Sequence, residues 1–370
     1  MTDKTERLAA NAQMGLRLAT RRSLVRYIGC THLRNLGDEA LFEAAQQYFR
    51  GAALLPLWGD GLIATWAKRH SARPRFRASV LGGGTLVGNA DLVDRLLAFG
   101  DPGGLTATFG TGVRDPHFFG GPALTDQIRK LRRCDLVTVR GPLSQSLLAE
   151  HGIENAQIIG DPAFIFYNPQ PGPTTDRPPV LGLNLGHVDG KLWGGDEAAV
   201  NRELAGLARR MVARGWQLRL IVVRPDDLPL AEELAAKLST HAVTVWRMYR
   251  GGARAVRRLG GLSACVALKL HAGVLSICAG VPTRLLEYRP KTRDLMAAIG
   301  AESDTVRTDD VDMRALDSWA EAALFNRAEH AARYAAALPP MIERQHRIAQ
   351  LIFEGRIDEA PAALPRLAHA

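Results

Sequence analysis

VALKLHAGVLSICAGVPTRLLEY, residues 266 to 288, is the stretch whose reading decides the fold. The apolar run Ala264 to Leu268 predicts a buried strand. A turn carrying Lys269 and His271 follows, then a short helix from Ala272 that ends at Gly280. Val281-Pro282 leads into a second strand, Thr283 to Tyr288. Short apolar runs separated by Gly and Pro suit a strand–helix–strand unit of a parallel sheet. Lys269 and His271 then stand where strand passes into helix. Free backbone N–H groups and the helix dipole favour anions there. A lysine and a histidine at such a junction make a candidate phosphate or carboxylate site with a proton donor beside it. The competing reading is a solvated loop lysine and a packed or capping histidine.

Working outward, the same alternation fills the chain. Downstream, residues 315 to 356 read as helices rich in Ala, Leu and Arg. Upstream, Val180 to Asn184, Gln217 to Val223 and Val243 to Met248 read as strands, separated by helices at Glu197 to Arg214, Leu230 to Leu238 and Ala253 to Leu259. Residues 168 to 179, NPQPGPTTDRPP, have the composition of a linker. Before them lie strands at Leu24 to Ile28, Ala78 to Leu81, Thr106 to Gly110, Leu136 to Val139 and Ala156 to Ile159. The loops after them are Asn35 to Ala40, with Asp38 as expected helix N-cap, Gly82-Gly83-Gly84-Thr85, and Arg140-Gly141-Pro142, with proline at a favoured first helical position. Gly160-Asp161-Pro162 reads as a turn. Residues 1 to 22 read as a polar, basic arm. The expected fold is therefore α/β, two doubly wound Rossmann-like domains facing a cleft. Its parts are residues 1–170, a linker at 171–179, residues 180–314, and C-terminal helices at 315–370.

The totals narrow the function. The chain has 370 residues, 46% hydrophobic and 23% charged, with a formal charge of +9. That length suits two domains of a globular protein. The basic balance suits an anionic substrate, an anionic membrane face or nucleic acid. Its arginines are spread out with no aromatic-interleaved tract, which disfavours nucleic acid. The GGGT loop is not a dinucleotide fingerprint, so a nicotinamide cofactor is disfavoured. Cys30, Cys134, Cys265 and Cys278 lack metal-type spacing and read as thiols of a reducing compartment. No metal site is expected. Neither a signal peptide nor a membrane span is read, so the expected location is the cytoplasm, with room for association at the inner face of the membrane. The number of subunits is not legible.

Several blocks, taken in order, resemble a known family: NLGDEA at 35–40, GGGT at 82–85, VRGPLS at 139–144, GDPA at 160–163 and KLHAGVLSICAGVP at 269–282, with Tyr288 and Lys291 trailing. Together they resemble polysaccharide pyruvyl transferases over roughly residues 24 to 300. The resemblance implies a two-domain fold like that of GT-B glycosyltransferases. It also implies transfer of pyruvate from phosphoenolpyruvate to two hydroxyls of a sugar, giving a cyclic ketal, with no cofactor besides the donor. The acceptor would be a sugar or lipid-linked glycan of a surface or exopolysaccharide precursor. Two departures stand out. Lysine occupies position 269 where the family more often has arginine, which loses the planar two-pronged grip. The strand opening the second domain runs into Asn184-Leu185-Gly186-His187 without the arginine often found there.

Such chemistry needs cations converging on a trianionic donor, a general acid and a base. An imidazole titrates near neutrality, which makes His271 the expected acid. Asp38 is the expected base, with Glu39 a second choice. Lys269, Leu270, Arg140, Asn35, Gly83, Gly84, Thr85 and Asn184 are the expected substrate contacts. Against these stand plain structural roles: Arg140 paired to Asp161, the glycines as close packing, His117 and His187 as surface residues. Two rival functions remain open. One is a nucleotide-sugar glycosyltransferase, with Glu287 as the acid for the ribose; the other is a non-catalytic anion-binding relative.

Overall fold

The computed structural model describes residues 23–31, 33–56, 75–98, 103–173, 177–310 and 312–360. The basic arm at 1–22 and part of the linker lie outside these. Fourteen strands are described, all in parallel pairs.

The first half carries two sheets rather than one. Strands β1 (Leu24–Ile28), β2 (Ala53–Pro56), β3 (Phe76–Leu81) and β5 (Leu105–Thr108) form a sheet in the order β2-β1-β3-β5. Strands β4 (Gly84–Val87), β6 (Thr111–Val113), β7 (Thr138–Val139) and β8 (Gln157–Ile158) form a second, β4-β6-β7-β8. The divide runs through Gly82-Gly83 and Phe109-Gly110. Gly84 and Gly110 there have φ of 100° and 62°, values that glycine adopts without steric penalty. The strands read from sequence at 78–81 and 106–110 thus each hand over to a short second strand.

The second half is one six-stranded sheet built from β9 (Val180–Asn184), β10 (Gln217–Val222), β11 (Val243–Arg247), β12 (Ala264–Ala267), β13 (Thr283–Glu287) and β14 (Thr305–Arg307). Its order is β11-β10-β9-β12-β13-β14. In such a sheet the crevice for a ligand opens beyond the strand ends where the order reverses, here between β9 and β12. Asn184 ends β9 and Lys269 follows β12, so the decisive stretch lies at that switch point.

Two elements knit the halves. The Leu36–Tyr48 helix meets the second half at its start and its middle: Leu36 N–H donates to the Val223 carbonyl (3.0 Å) and Glu43 Oε2 accepts from Gly252 N–H (2.7 Å). The Arg327–Glu354 helix, 28 residues long, returns to the first half. Tyr334, Leu338, Met341, Ile348, Leu351 and Ile352 join a core shared with Val25, Tyr27, Tyr48 and Phe109. The C-terminal helices are therefore part of the first lobe's core as well as the second's. Gln345 is the polar pin. Its Nε2 donates to the carbonyls of Ile159 (2.8 Å) and Asp161 (3.0 Å), and its Oε1 accepts from the Tyr48 hydroxyl. Leaving buried partners unsatisfied costs about 1–3 kcal/mol. Gln345→Ala should cost at least that much in a denaturant melt, and a change below about 0.5 kcal/mol would remove the pin.

Candidate active site

A cavity of about 240 Å³ lies between the halves at the switch point. The first half brings Asn35 and Asp38, then Gly84 and Thr85, then Arg140. The second brings Lys269, Leu270, His271 and the run Tyr288-Arg289-Pro290-Lys291. Most residues singled out in the sequence thus meet in one place.

The helix after β12 begins at Leu270, two residues earlier than expected, and Lys269 is its N-cap position. The reason is a tertiary contact: Lys269 N–H donates to Asn184 Oδ1 at 2.7 Å. Asn184 Nδ2 in turn donates to the Ile221 carbonyl at 2.8 Å. Asn184, expected at the substrate, is fully buried behind the cavity wall and fixes the backbone of Lys269. The Lys269 ammonium donates to the His187 carbonyl and stands 3.8 Å from Asp227 Oδ1. Burial pushes its pKa down, with Asp227 opposing. Of its three protons, one is held by the carbonyl, so Lys269 stands at the cavity wall as a tethered ammonium rather than as a free arm.

His271 sits in the first helical turn, its Nε2 3.5 Å from Asp161 Oδ2. Neither atom has a hydrogen-bond partner; such contacts are often long before substrate arrives. Asp161 caps the following turn by accepting from Ala163 N–H at 2.9 Å. Burial would raise the Asp161 carboxyl, but His271, with smaller help from Arg140 and the Ala163 amide, holds it below the usual range. Sequence reasoning offered Asp161 a turn, a place on the cleft wall or a pairing with Arg140, and missed His271 because it lies far along the chain.

Opposite, Asn35 rather than Asp38 is the N-cap; its Oδ1 accepts from Gly37 N–H at 3.2 Å and its Nδ2 donates to Asp38 Oδ2 at 2.8 Å. Asp38 lies in the first turn instead. Burial pushes its carboxyl above the ordinary range, against the pull of His271, Lys291 and the Asn35 bond. Gly37 is a point of close approach between the two halves: a Cβ there would lie 2.6 Å from His271 Nδ1 and 3.1 Å from its Cβ. Gly37→Ala should displace the imidazole. Misplacement by about 1 Å can cost on the order of 100-fold in rate, so turnover should fall at least tenfold with the melting temperature little changed. Wild-type kinetics in that variant would show that the ring tolerates the shift.

Arg140 is 1% exposed, and its Nη2 pairs with Asp294 Oδ2 at 3.3 Å, not with Asp161. Asp294 also accepts from Ser144 N–H (3.0 Å) and Ser144 Oγ (2.7 Å). Arg140 Nε and Nη1 have no protein partner although buried, so two donors of this cavity-lining guanidinium are open to an acceptor. Gly83 does not line the cavity. A Cβ there would come 2.6 Å from Leu41 Cδ2, so it serves close packing, while Gly84 and Thr85 form wall. Glu39 is tied to the Arg34 amide at 3.3 Å. Glu287 is buried between Trp193 Nε1 (3.2 Å) and Arg293 Nε (3.1 Å) and is absent from the wall.

Residues that sequence reasoning did not place at the site include Tyr288, Arg289, Arg114, Phe119 and Cys30. The Lys291 ammonium lies 4.9 Å from the Tyr288 ring centre. Burial alone would raise the Tyr288 hydroxyl, but Lys291, then Arg289 and Lys269, lower it below its ordinary value. Burial raises the Cys30 thiol to about 11, so it is a protonated wall residue near neutral pH. Four arginines and two lysines line the cavity against three aspartates. Among the described residues, no group of three or more His, Cys, Asp and Glu side chains is placed to hold a metal ion, and no helix is long and apolar enough to cross a membrane.

Two α/β lobes with parallel sheets enclosing such a cleft define a protein of GT-B-like architecture. Solved structures agree. MnaA of S. aureus, in a structure with UDP, aligns with TM-score 0.59 at 10% identity over 92% of this chain and 99% of its own. HepE of Anabaena with UDP-glucose gives 0.54 at 11% over 90% and 99%. The UDP-GlcNAc 2-epimerase of Methanocaldococcus jannaschii gives 0.51 at 11% over 82% and 92%. At such identities the likeness is one of fold. No curated protein matches the chain. The chain belongs to the polysaccharide pyruvyl transferase family, whose pattern matches residues 35–290.

Proposed function

We propose that this protein moves pyruvate from phosphoenolpyruvate to two hydroxyls of a sugar in a polysaccharide precursor, closing a cyclic ketal. The observation that carries this is the pairing of His271 with Asp161 beside a buried Arg140 whose Nε and Nη1 lack partners. The donor's phosphate and carboxylate meet Arg140, the Lys269 ammonium, Lys291 and the first amides of the Leu270–Cys278 helix. His271 gives a proton to the terminal carbon, which becomes a methyl group and leaves a cation-like centre. Asp161, held ionised, keeps the imidazolium in place. One sugar hydroxyl attacks the centre, and Asp38, its carboxyl raised by burial, takes the proton. The second hydroxyl then displaces phosphate. Of the two hydroxyl protons, one restores His271 and the other leaves with the phosphate.

Incubation with phosphoenolpyruvate should release phosphate only when a suitable glycan is present, with the ketal methyl visible by NMR. Calorimetry against UDP and GDP separates the rival: tighter binding of either than of phosphoenolpyruvate, with no acceptor-dependent phosphate release, would favour nucleotide-sugar glycosyl transfer. The occupied state of Glu287 weighs against that rival, since no carboxylate there is open to a ribose.

A further inference from the structure

An aspartate at a helix N-cap ordinarily turns its carboxylate back onto the first amides of its own helix. Asp227 stands at the N-cap of the Leu228–Leu238 helix and makes no such bond. Its neighbour Asp226 is exposed and pairs with Arg224 at 2.9 Å. Asp227 is 1% exposed and turns the other way. Its Oδ1 accepts from His187 N–H at 2.8 Å and lies 3.8 Å from Lys269 Nζ. Its Oδ2 is buried and has no hydrogen-bond partner. The loop after β9 comes close here: a Cβ on Gly186 would lie 2.6 Å from Asp227 Oδ1. An ionised carboxylate is costly to bury unless it is paired, so a residue that leaves its own helix uncapped to be buried in this way has a partner to serve.

Lys269 is that partner. Its side chain is 11% exposed, and its ammonium is tethered to the His187 carbonyl. Among the described residues, no carboxylate besides Asp227 lies within ion-pair distance of it. The other charged or titratable groups that bear on it are Tyr288 and Lys291, which follow β13, and Arg224 in the loop after β10. Arg224 and Lys291 repel an ammonium, and the Lys291 charge stands 4.9 Å from the Tyr288 ring centre. The His187 ring is engaged by Glu197 Oε1 at 2.8 Å. Burial works against the charged form of Lys269, and Asp227 is the largest pull in its favour. An amine in such surroundings sheds its proton unless an opposite charge stands close, and a neutral amine offers an anion no charge to meet. Asn184 fixes the Lys269 backbone and Asp227 its head, so the residue is held at both ends. Asp227 does this from behind the cavity wall, which it does not line.

We propose that Asp227 is a positioning residue of the anion site: it holds the Lys269 ammonium in place and charged, and so sets the upper pH at which phosphoenolpyruvate is bound. This rests on the reading of phosphoenolpyruvate as donor given above. Asp227 touches no reacting atom in this scheme and acts through Lys269 alone.

The test measures affinity of the full chain by calorimetry at about pH 7.5 and about pH 9.5, a span in which a depressed lysine titrates. The probes are phosphoenolpyruvate and sulfate, whose charge is fixed over that span. Asp227→Asn removes the charge and keeps an oxygen for His187 N–H, so the loop stays pinned. Its affinity for either anion should fall between the two pH values by about fivefold more than the affinity of the wild type does, because Lys269 releases its proton earlier. Lys269→Arg stays charged throughout. Added to Asp227→Asn it should abolish the extra loss, and alone it should flatten the fall seen in the wild type. A fall in Asp227→Asn no greater than that of the wild type, or an extra loss that persists in the double variant, would overturn the proposal and leave Asp227 as a pin for the loop. An unaltered pH dependence in Lys269→Arg alone would overturn it as well, and that arm leaves Asp227 intact. The expected pattern with sulfate, in a protein that does not bind phosphoenolpyruvate, would uphold Asp227 and sink the donor reading alone.

Discussion

Replacing His271 with asparagine should lower kcat for ketal formation by about 100- to 10,000-fold, the range of a lost general acid. KM for phosphoenolpyruvate should stay within about threefold, because Arg140, Lys269 and the helix amides still hold the donor. Asparagine is smaller but keeps Cβ, Cγ and a polar atom near the Nδ1 position, the atoms that face Gly37. Steady-state kinetics with phosphate release as readout check both numbers. An unchanged kcat would remove His271 from the proton transfer. Asp161 adds a companion measurement. Its folded-state pKa lies below that of an unfolded aspartate, so its contribution to stability is in place above the ordinary aspartate range and is lost as pH falls through the depressed value. The stability gap between wild type and Asp161→Asn should therefore narrow on acidification, and a gap that widens instead would contradict the pairing with His271.

Arg140→Ala is expected to have the largest effect on stability of any single change at the cleft. Both partners of the Arg140–Asp294 pair are buried, at 1% and 3% side-chain exposure. Removing one member of a buried pair costs about 3–5 kcal/mol. Ser144 continues to serve Asp294 through two hydrogen bonds, which places the expected loss at the lower end. The same change removes the partnerless N–H groups, so phosphoenolpyruvate binding should weaken by about 10- to 100-fold. Asp294→Asn separates the two roles. It breaks the ion pair yet leaves the guanidinium, so stability should drop while donor affinity holds. Loss of donor affinity in Asp294→Asn equal to that in Arg140→Ala would mean that Arg140 acts only through the pairing of the lobes.

The repeating strand and helix pattern, and the glycine loops after the strands, were legible because they are local. Periodicity located β9 to the residue and placed Lys269 and His271 at a strand-to-helix junction. What escaped depends on partners distant in the chain. Asn35 and Asp38 are both good caps, and the choice falls to Asn35 because Leu36 N–H is bound by Val223 in the other half. Lys269 starts its helix early because Asn184 holds its amide. Arg140 looked like a partner for Asp161, which is near in sequence, but Asp294 reaches it from 154 residues away. Asp161 itself was in view as part of GDPA, yet nothing in that block announces a histidine 110 positions later.

The return of the Arg327–Glu354 helix to the first lobe bears on synthesis. Strands β1, β2, β3 and β5 emerge from the ribosome long before this helix, yet Tyr334, Leu338 and Met341 complete the hydrophobic interior that their sheet needs. Lobes generally fold in the order they are made; here the earlier one must wait, half-assembled and with apolar surface bare, until the Arg327–Glu354 helix has been translated. Ribosome-stalled chains ending before residue 327 should therefore be more open to protease in the first lobe than chains that include residue 354, and chaperone dependence should centre on that interval.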